Sequence, residues 1–173
     1  MDEAPFVYPE EPGLEGYTVP GAAVPSQVDR AAKMIEEAEK PLLYVGGGTI
    51  NADAPEVLTE LARKANIPVT TTLHGLGAFP ETDDLALGWL GMHGFYHTNM
   101  AVQNADLIMA VGARFDDRVT GDVEEWAPNA KIIHVDIDPS CISKNVYADC
   151  ALIGDAQEVL EQLLPKVEPK DTD

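Results

Sequence analysis

The sequence predicts an α/β fold, with a doubly wound and mainly parallel sheet flanked by helices. Short apolar runs alternate with amphipathic stretches of helical periodicity along most of the chain. This alternation is typical of parallel strands joined by right-handed helical crossovers. The runs PLLYVG and LIMAVG end in glycine and are apolar throughout, which indicates strands buried on both faces. Ligands of such open sheets bind at the carboxyl ends of the strands.

Periodicity and capping signals predict the individual elements. Helices are predicted over 26–40, 53–65 and 95–105 and from Asp155 onwards, with Ser26 as the first N-cap. Asp53 with Glu56 and Asp155 with Glu158 have the spacing of capping boxes. Strands are predicted at the runs PLLYVG, IPVTTT, ADLIMAVG, KIIHVDI and ADCALI. The residues between IPVTTT and the helix at 95–105 are predicted to form a loop.

The length and composition of the chain fit one globular domain with linker-like ends. Its 173 residues, 45% of them apolar, are enough to form a proper core. Residues 1–25 are rich in Pro, Gly and Glu and are predicted to be a linker or extended arm. Residues 26–166 are predicted to be the ligand-binding domain and 167–173 a tail. We therefore expect the chain to be a piece of a longer protein.

Charge and cysteine content exclude several classes of partner. The formal net charge of -19 argues against nucleic acid or an anionic membrane as the partner. No apolar run approaches the roughly 18 residues of a membrane span, and no signal peptide opens the chain. Cys141 and Cys150 do not have a CxxC spacing and are predicted to be free thiols. We therefore expect a cytoplasmic protein.

Loops at the predicted strand ends carry the candidate ligand site. GGGT follows the first strand, LHGLG the second, ARFDD the third and DPS the fourth, while LGMHG precedes a helix. Glycines let the backbone approach a ligand, and a helix N-terminus after GMHG would favour an anion. Arg114 could bind a pyrophosphate as a fork donor, and Asp136 could accept from ribose hydroxyls. Together the loops predict a dinucleotide-binding domain.

Each of these signals has a structural alternative. Asp155 could be only a helix cap, and Asp116, Asp117 and Arg118 could form a local ion pair that orients their loop. Phe115 and His134 could be core residues, and His74 could be a loop contact. A usual nicotinamide-binding fold is not predicted, because GGGTINAD lacks the later glycine of GxGxxG.

No catalytic or metal-binding residue is predicted. The sequence contains no GxSxG motif, no Walker lysine and no CxxC pair. His93 and His97 are four residues apart, but no HExxH pattern surrounds them. The expected role of the domain is therefore to bind a cofactor rather than to perform chemistry itself.

Longer motifs resemble one known family. PLLYVGGG, IPVTTTLHGLGAFP, GWLGMHG, VGARFDDRVTGD, AKIIHVDIDP and IGDAQEVL together resemble the central FAD-binding domain of the acetohydroxyacid synthases (acetolactate synthases). These are the large catalytic subunits of a thiamine diphosphate enzyme family. The resemblance runs from about residue 26 to residue 165. His74 departs from the pattern, since the family motif TTLMGLG has methionine there.

The resemblance implies which residues contact the cofactor. It implies FAD contacts at Gly46, Gly47, Gly48, Thr72, Leu73, Leu90, Gly91, Met92, His93, Gly112, Arg114, Asp116, Asp136, Ile137 and Asp155. It also implies that Asp117 and Arg118 lie near the channel through which substrate reaches thiamine diphosphate. In this family FAD takes no net part in the redox chemistry.

The resemblance also implies an activity and a set of partners. Family enzymes condense two pyruvates to 2-acetolactate, or pyruvate with 2-ketobutyrate, in branched-chain amino acid biosynthesis. Thiamine diphosphate and Mg²⁺ are held by the outer domains, so we expect the 173 residues alone to be inactive. The implied partners are the flanking thiamine-binding domains, a second catalytic subunit and a small regulatory subunit. The alternatives are another thiamine-dependent 2-oxo acid decarboxylase or oxidase and a stand-alone nucleotide-binding module.

Overall fold

The computed structural model describes residues 18–170. Within this range the backbone forms a six-stranded sheet in which neighbouring strands are parallel. The strands are β1 (Pro41–Val45), β2 (Val69–Thr71), β3 (Ala86–Trp89), β4 (Leu107–Val111), β5 (Lys131–Asp136) and β6 (Cys150–Ile153). Their order across the sheet is β3-β2-β1-β4-β5-β6. The predicted fold class is confirmed.

Helices connect the strands and cover the sheet. They are α1 (Pro25–Glu37), α2 (Gly47–Asn51), α3 (Pro55–Ala65), α4 (Tyr96–Asn104), α5 (Asp117–Thr120) and α6 (Ala156–Leu163). Single turns of 3₁₀ helix occur at Leu73–Gly75, Pro139–Cys141 and Leu164–Lys166. The helices predicted over 26–40, 53–65 and 95–105 and after Asp155 correspond to α1, α3, α4 and α6.

Each face of the sheet packs against its own hydrophobic core. On β1, Leu43 and Val45 pack with α1, α3 and α6 on one face. Their neighbours Leu42 and Tyr44 belong to the core on the other face, together with Val102 of α4. Because both faces are covered, β1 and β4 are apolar at every position, which is why their sequences read as continuous runs.

The sheet changes winding direction between β1 and β4. From β1 the chain proceeds outward through β2 to β3, and then returns to β4 before proceeding through β5 to β6. In the register of the sheet, Val45 pairs with both Thr71 and Val111, the last residues of β2 and β4. The loops after these three strands therefore begin side by side. A reversal of this kind opens a crevice at the carboxyl edge of a parallel sheet.

Two predicted helix caps are wrong. Ser26 is not the N-cap of α1, because the helix begins at Pro25 and its N-cap is Val24. Asp53 is not the N-cap of α3, since that helix begins at Pro55 after Ala54, and Asp53 has a left-handed φ of 52°. In both helices proline occupies the first turn, where its fixed φ suits a helix and its missing N–H costs no intrahelical bond.

The predicted loop before α4 contains a strand. β3 pairs with β2 at the sheet edge, with a register shift between Val69 and Thr70. Its four residues ALGW are all half-buried, and one of them is glycine. Such a short edge strand has neither the buried apolar run nor the alternation that predicts a strand from sequence.

The predicted arm and tail lie partly outside the described residues. Residues 1–17 of the predicted arm 1–25 and residues 171–173 of the predicted tail are among those not described. Near the carboxyl end of β6, the carbonyl of Gly21 accepts a hydrogen bond of 2.8 Å from the N–H of Asp155. At the other end, the Lys170 ammonium donates to the carbonyls of Ile35 and Ala38 at 2.9 Å. The domain boundaries stay a prediction.

None of the described helices is long and apolar enough to cross a membrane.

Candidate functional site

A cavity of about 590 Å³ opens at the carboxyl edge of the sheet, where β1, β2 and β4 end. Its walls come from the loops after these strands, from the segment after β3 and from α5. The lining residues are Gly46, Gly47, Gly48, Asn51, Thr72, Leu73, His74, Trp89, Leu90, Met92, His93, Gly112, Ala113, Arg114, Asp116, Arg118 and Val119. Its size is within the range of about 300–1,000 Å³ that is usual for small-molecule sites.

Two smaller cavities adjoin this main cavity. One, of about 160 Å³, shares Gly48, Asn51 and Gly112 with it and is lined further by Asp136, Ile137 and Asp155. The other, of about 370 Å³, shares Met92, Arg118 and Val119 and is lined further by Gly91 and Asp117, among others. Every residue for which the resemblance implies a contact with FAD or a place near the substrate channel therefore lines one of three adjacent cavities.

The glycines after β1 pack tightly against the end of β4. A β-carbon on Gly46 would lie 2.1 Å from the carbonyl oxygen of Gly112, so only glycine fits there. The N–H of Gly46 donates to Val111 at 2.9 Å, and that of Gly48 donates to Gly112 at 3.1 Å. These two N–H groups already have protein acceptors. The first and third glycines thus bring the loops after β1 and β4 together.

The loop after β4 directs charged side chains into the main cavity. Arg114 and Asp116 line the cavity, while Phe115 between them is buried. Phe115 packs at a centroid distance of 5.4 Å from Tyr44 and 5.6 Å from Trp126. The prediction of Phe115 as a core residue is confirmed. Because Phe115 is buried between two charged residues that line the cavity, the ARFDD segment belongs to both the core and the cavity wall.

The ion pairs of this loop are open to solvent. The guanidinium of Arg114 lies 3.9 Å from the Asp116 carboxylate, and that of Arg118 lies 3.9 Å from Asp117. The side chain of Arg114 is 76% exposed. Exposed pairs at this distance contribute little stability. Both guanidinium groups can therefore exchange their carboxylate partner for an anionic ligand.

Asp116 is also the N-cap of α5. Its carboxylate accepts from the backbone N–H of Arg118 at 3.1 Å. This hydrogen bond is the main cause that lowers the pKa of Asp116, with smaller contributions from the side chain of Asp117 and the nearby arginines. Asp116 is therefore ionised at neutral pH. The pKa of the Tyr44 hydroxyl is instead raised, chiefly by burial and further by the negative charge of Asp116.

The cavity of about 160 Å³ is lined by two carboxylates that accept hydrogen bonds from backbone N–H groups. Asp136, at the end of β5, accepts from the N–H of Asp138 at 2.9 Å. Asp155 caps α6, because its carboxylate accepts from Gln157 at 2.9 Å and from Glu158 at 3.3 Å. The cap predicted for Asp155 is confirmed. A capping role and a place in the cavity wall are thus compatible for this residue.

The backbone around GMHG is held from α4. The side-chain amide of Asn99 accepts from the N–H of Gly91 and donates to its carbonyl, both at 2.9 Å. Met92 follows with its side chain 61% exposed. On the opposite wall, the hydroxyl of Thr72 accepts from the N–H of Gly75 at 3.0 Å. These bonds fix the loops and leave their side chains directed at the opening.

Four residues that line the main cavity were not predicted: Asn51, Trp89, Ala113 and Val119. Asn51 lies on α2, Trp89 on β3 and Val119 on α5, and none of these short elements was expected from the sequence. His74, predicted as a possible loop contact, lines the main cavity. The signal that could have found Trp89 and Ala113 is position, since each lies one or two residues from a predicted site residue.

The histidines of the described range do not form a metal site. Across residues 18–170, no three His, Cys, Asp or Glu side chains are grouped closely enough to hold a metal ion. The ring of His97 stacks on Phe95 at 5.4 Å and bonds with the carbonyl of Leu87 at 3.1 Å. His134 is fully buried and bonds with Ala113, so its prediction as a core residue is confirmed.

Comparisons with known proteins agree with this architecture. The family model described as "Thiamine pyrophosphate enzyme, central domain" matches residues 28–163. The chain is 47% identical over 163 residues to the acetolactate synthase isozyme 3 large subunit of Escherichia coli, which covers 94% of the chain and 28% of that protein. It is 51% identical to the acetolactate synthase large subunit of Corynebacterium glutamicum, over 94% of the chain and 26% of that protein.

An archaeal relative is similar to the same extent. The chain is 49% identical to the probable acetolactate synthase large subunit of Methanocaldococcus jannaschii, over 95% of the chain and 28% of that protein. The chain therefore spans about a quarter of the length of these relatives.

The fold and the three adjacent cavities define a doubly wound α/β domain with open cavities at the carboxyl edge of its sheet. The matched residues include five of its six helices and all six strands, and they carry most of the cavity wall. The chain belongs to the family of thiamine pyrophosphate enzyme central domains.

Proposed function

We propose that this chain is the FAD-binding central domain of an acetolactate synthase. The observation that carries the proposal is its identity of 47% to 51% with acetolactate synthase large subunits over 94% of its length. The family description alone would also fit a related decarboxylase or oxidase. Identity at this level, extending through the GMHG and GARFDDRVTG segments, favours the synthase.

The chemistry of the cavities supports a flavin dinucleotide as the ligand. The main cavity combines an apolar wall, formed by Trp89, Leu90 and Val119, with the exposed guanidinium of Arg114. An apolar wall suits a flat ring system, and a guanidinium suits a pyrophosphate. The adjoining cavity contains Asp136, whose carboxylate can accept from a ribose hydroxyl. The two cavities share Gly48, Asn51 and Gly112 in their walls, so they lie side by side, as an extended dinucleotide requires.

Each group of residues then has a distinct role. Gly46, Gly47 and Gly48 let the loops at the strand ends pack closely together to form the cavity wall, while Arg114 balances the phosphate charge of the ligand. Asp117 and Arg118, on the rim between two cavities, would border the route of the substrate. Thiamine diphosphate, held with Mg²⁺ by other domains, supplies the carbon–carbon bond chemistry of the proposed enzyme. The described domain binds and spaces cofactor and substrate.

The proposed activity is that of the larger enzyme. It would condense two pyruvates to 2-acetolactate, or pyruvate with 2-ketobutyrate, in branched-chain amino acid biosynthesis. The proposed partners are flanking thiamine-binding domains, a second catalytic subunit and a regulatory small subunit. A net charge of -19 and free cysteines are consistent with a cytoplasmic location.

A fluorescence titration of the chain with FAD tests the ligand. We expect saturable binding that NAD does not compete with and that Arg114→Ala weakens by about tenfold or more, because a charge-assisted hydrogen bond is lost. Arg30→Ala is the matched control, since Arg30 is an exposed arginine of α1 outside the cavity walls. Equal loss in both variants, or competition by NAD, would contradict the proposed site.

A domain exchange tests the activity. This chain would replace the matching quarter of the Escherichia coli isozyme 3 large subunit. We expect the chimera to form acetolactate from pyruvate when FAD, thiamine diphosphate and Mg²⁺ are present, and to lose this activity without FAD. A folded chimera that binds FAD but forms no acetolactate would argue against the synthase assignment.

A further inference from the structure

The loop that directs Arg114 and Asp116 into the main cavity has a strained backbone. Phe115 has a φ of 51°, in the left-handed region that residues other than glycine rarely adopt. A bulky residue stays in this region only where its surroundings hold it there. The surroundings of Phe115 should therefore contain the groups that set the shape of the loop.

The ring of Phe115 supplies the first constraint. It lies 5.0 Å from the ring of His134 in an edge-to-face arrangement and is 2% exposed. With Phe115 held in the core, its neighbours Arg114 and Asp116 face the cavity that both of them line. The orientation of the two charges thus depends on the backbone turn at Phe115.

Two side chains supply the second constraint by bonding to three successive carbonyls. His134 Nε2 lies 2.9 Å from the oxygen of Ala113, and because a carbonyl only accepts, the ring donates from Nε2. The side-chain amide of Asn145 donates to the oxygens of both Arg114 and Phe115, each at 3.0 Å. Asn145 lies about thirty residues further along the chain, between β5 and β6, so these bonds join separate parts of the fold.

Asn145 is the more informative of the two side chains. His134 is fully buried in the core, and changing it would disturb packing. Asn145 is exposed and lines none of the three cavities that residues 18–170 form at this edge. Its two hydrogen bonds go to the carbonyl oxygens of the two peptide units on either side of the Phe115 α-carbon. The amide therefore holds the left-handed turn without contacting a ligand in the cavity.

We infer that Asn145 is a positioning residue of this site. By holding the carbonyls of Arg114 and Phe115, it keeps the turn that directs the Arg114 guanidinium and the Asp116 carboxylate into the cavity. It thereby sets the affinity for an anionic ligand from outside the binding surface. The part of this inference that concerns ligand affinity rests on the proposed function, whereas the part that concerns the loop does not.

Hydrogen exchange of the ligand-free chain tests the loop. The probes are the amides of Arg118, Val119 and Gly121, which bond to Asp116 and Asp117. In Asn145→Ala we expect these amides to exchange about fivefold to tenfold faster, with those of β4 unchanged. Asn104→Ala is the control, because it removes a similar amide bond, 2.7 Å to Met100 within α4. Unchanged exchange at all three probes would overturn the inference.

FAD titration of the same variants tests the effect on affinity. We expect Asn145→Ala to raise the Kd for FAD by about fivefold to tenfold, and Asn104→Ala to leave it unchanged. In an Arg114→Ala background the further effect of Asn145→Ala should fall below about twofold, because the guanidinium that it positions is gone. A purely structural role would not produce this coupling, so equal effects in the two backgrounds would overturn the inference.

A second variant covers the case in which Asn145→Ala does not fold. Asn145→Asp keeps the shape of the side chain but faces two carbonyl oxygens with an acceptor, and we expect the same changes in exchange. Wild-type exchange in Asn145→Asp would overturn the inference. If the wild-type chain does not bind FAD, the proposed ligand is wrong, and the exchange measurement still decides the role of Asn145.

Discussion

Gly48 and Gly112 face each other so closely that neither could carry a side chain. A β-carbon on Gly48 would lie 2.7 Å from the α-carbon of Gly112, and one on Gly112 would lie 2.6 Å from that of Gly48. The two residues follow β1 and β4, the strands between which the winding of the sheet reverses. Both glycines line the main cavity and its smaller neighbour, so this contact forms part of the wall of each.

Gly112→Ala should therefore destabilise the domain through overlap as well as backbone strain. Gly121 is the control for a positive φ without overlap, because its φ is 59°, against 58° at Gly112, and nothing lies within 4 Å of its β-carbon position. We expect Gly121→Ala to cost about 1–3 kcal/mol from strain alone. Gly112→Ala should cost about 1–3 kcal/mol more, because its β-carbon overpacks the contact. Urea unfolding measures both, and equal costs would contradict the close contact.

Asp155→Ala should lower the stability of the domain by removing the cap of α6. The expected loss in the free energy of unfolding is about 1 kcal/mol, because two backbone N–H groups lose their acceptor. Asp155→Ser keeps a capping oxygen and should retain most of the stability. Ser26→Ala is the control, since no side chain caps α1, and it should change stability by less than about 0.5 kcal/mol.

The same variants separate the two roles suggested for Asp155. If the carboxylate also contacts a ligand, Asp155→Ser should weaken FAD binding while thermal unfolding stays close to that of the wild type. Wild-type affinity in Asp155→Ser would leave capping as its function.

The cap that Asp116 forms on α5 should persist to acidic pH. Its pKa is lowered from 3.8, chiefly by the N–H of Arg118. A lowered pKa means that the folded state favours the carboxylate, so the cap is fully present above 3.8 and is lost as pH falls through the lower folded value. Carboxyl NMR should show Asp116 titrating below 3.8, together with the amide shift of Arg118. A midpoint above 3.8 would be inconsistent with this cap.

The two cysteines should differ in their reaction with iodoacetamide. Cys150 is buried, and burial raises its pKa, so we expect it to react only when the protein unfolds. Cys141 is partly exposed, but burial and the carboxylates of Asp136 and Asp138 raise its pKa above the ordinary 9.0. It should react slowly at pH 8 and faster as the pH rises.

A variant tests the cause of the slow reaction at Cys141. Its Sγ lies 3.7 Å from the Asp138 carboxylate, so Asp138→Asn should speed its alkylation at pH 8, as followed by mass spectrometry. No acceleration would mean that the carboxylate does not control the thiol.

Elements with strong burial could be predicted from sequence, and elements made by tertiary contact could not. β1 and β4 are apolar at every position, and β5 is buried at four consecutive positions, because both faces of the sheet are covered, so these strands were recognisable as runs. β3 was not predicted because its four half-buried residues form neither a continuous apolar run nor an alternating pattern. The caps at Ser26 and Asp53 failed because a proline that begins the helix competes with a polar residue beside it.

The site followed the same division. The loops that directly follow the predicted strands were expected to form the site, because the carboxyl ends of parallel strands meet at one edge of the sheet. Trp89 and Val119 were missed because they reach the cavity from the unpredicted β3 and α5. Asn145 has no sequence signal at all, since its bonds to Arg114 and Phe115 exist only once β5 and β6 are in place.

The two ends of the described chain are hydrogen-bonded near opposite edges of the sheet. Gly21 bonds to Asp155 beside the carboxyl end of β6, whereas Lys170 bonds to Ile35 and Ala38 shortly before β1 begins. The polypeptide thus enters beside the mouth of the cavities and leaves from the far side. The described chain therefore runs from the carboxyl edge of the sheet, where the three cavities lie, to its amino edge, so that the two ends are separated by the length of the strands.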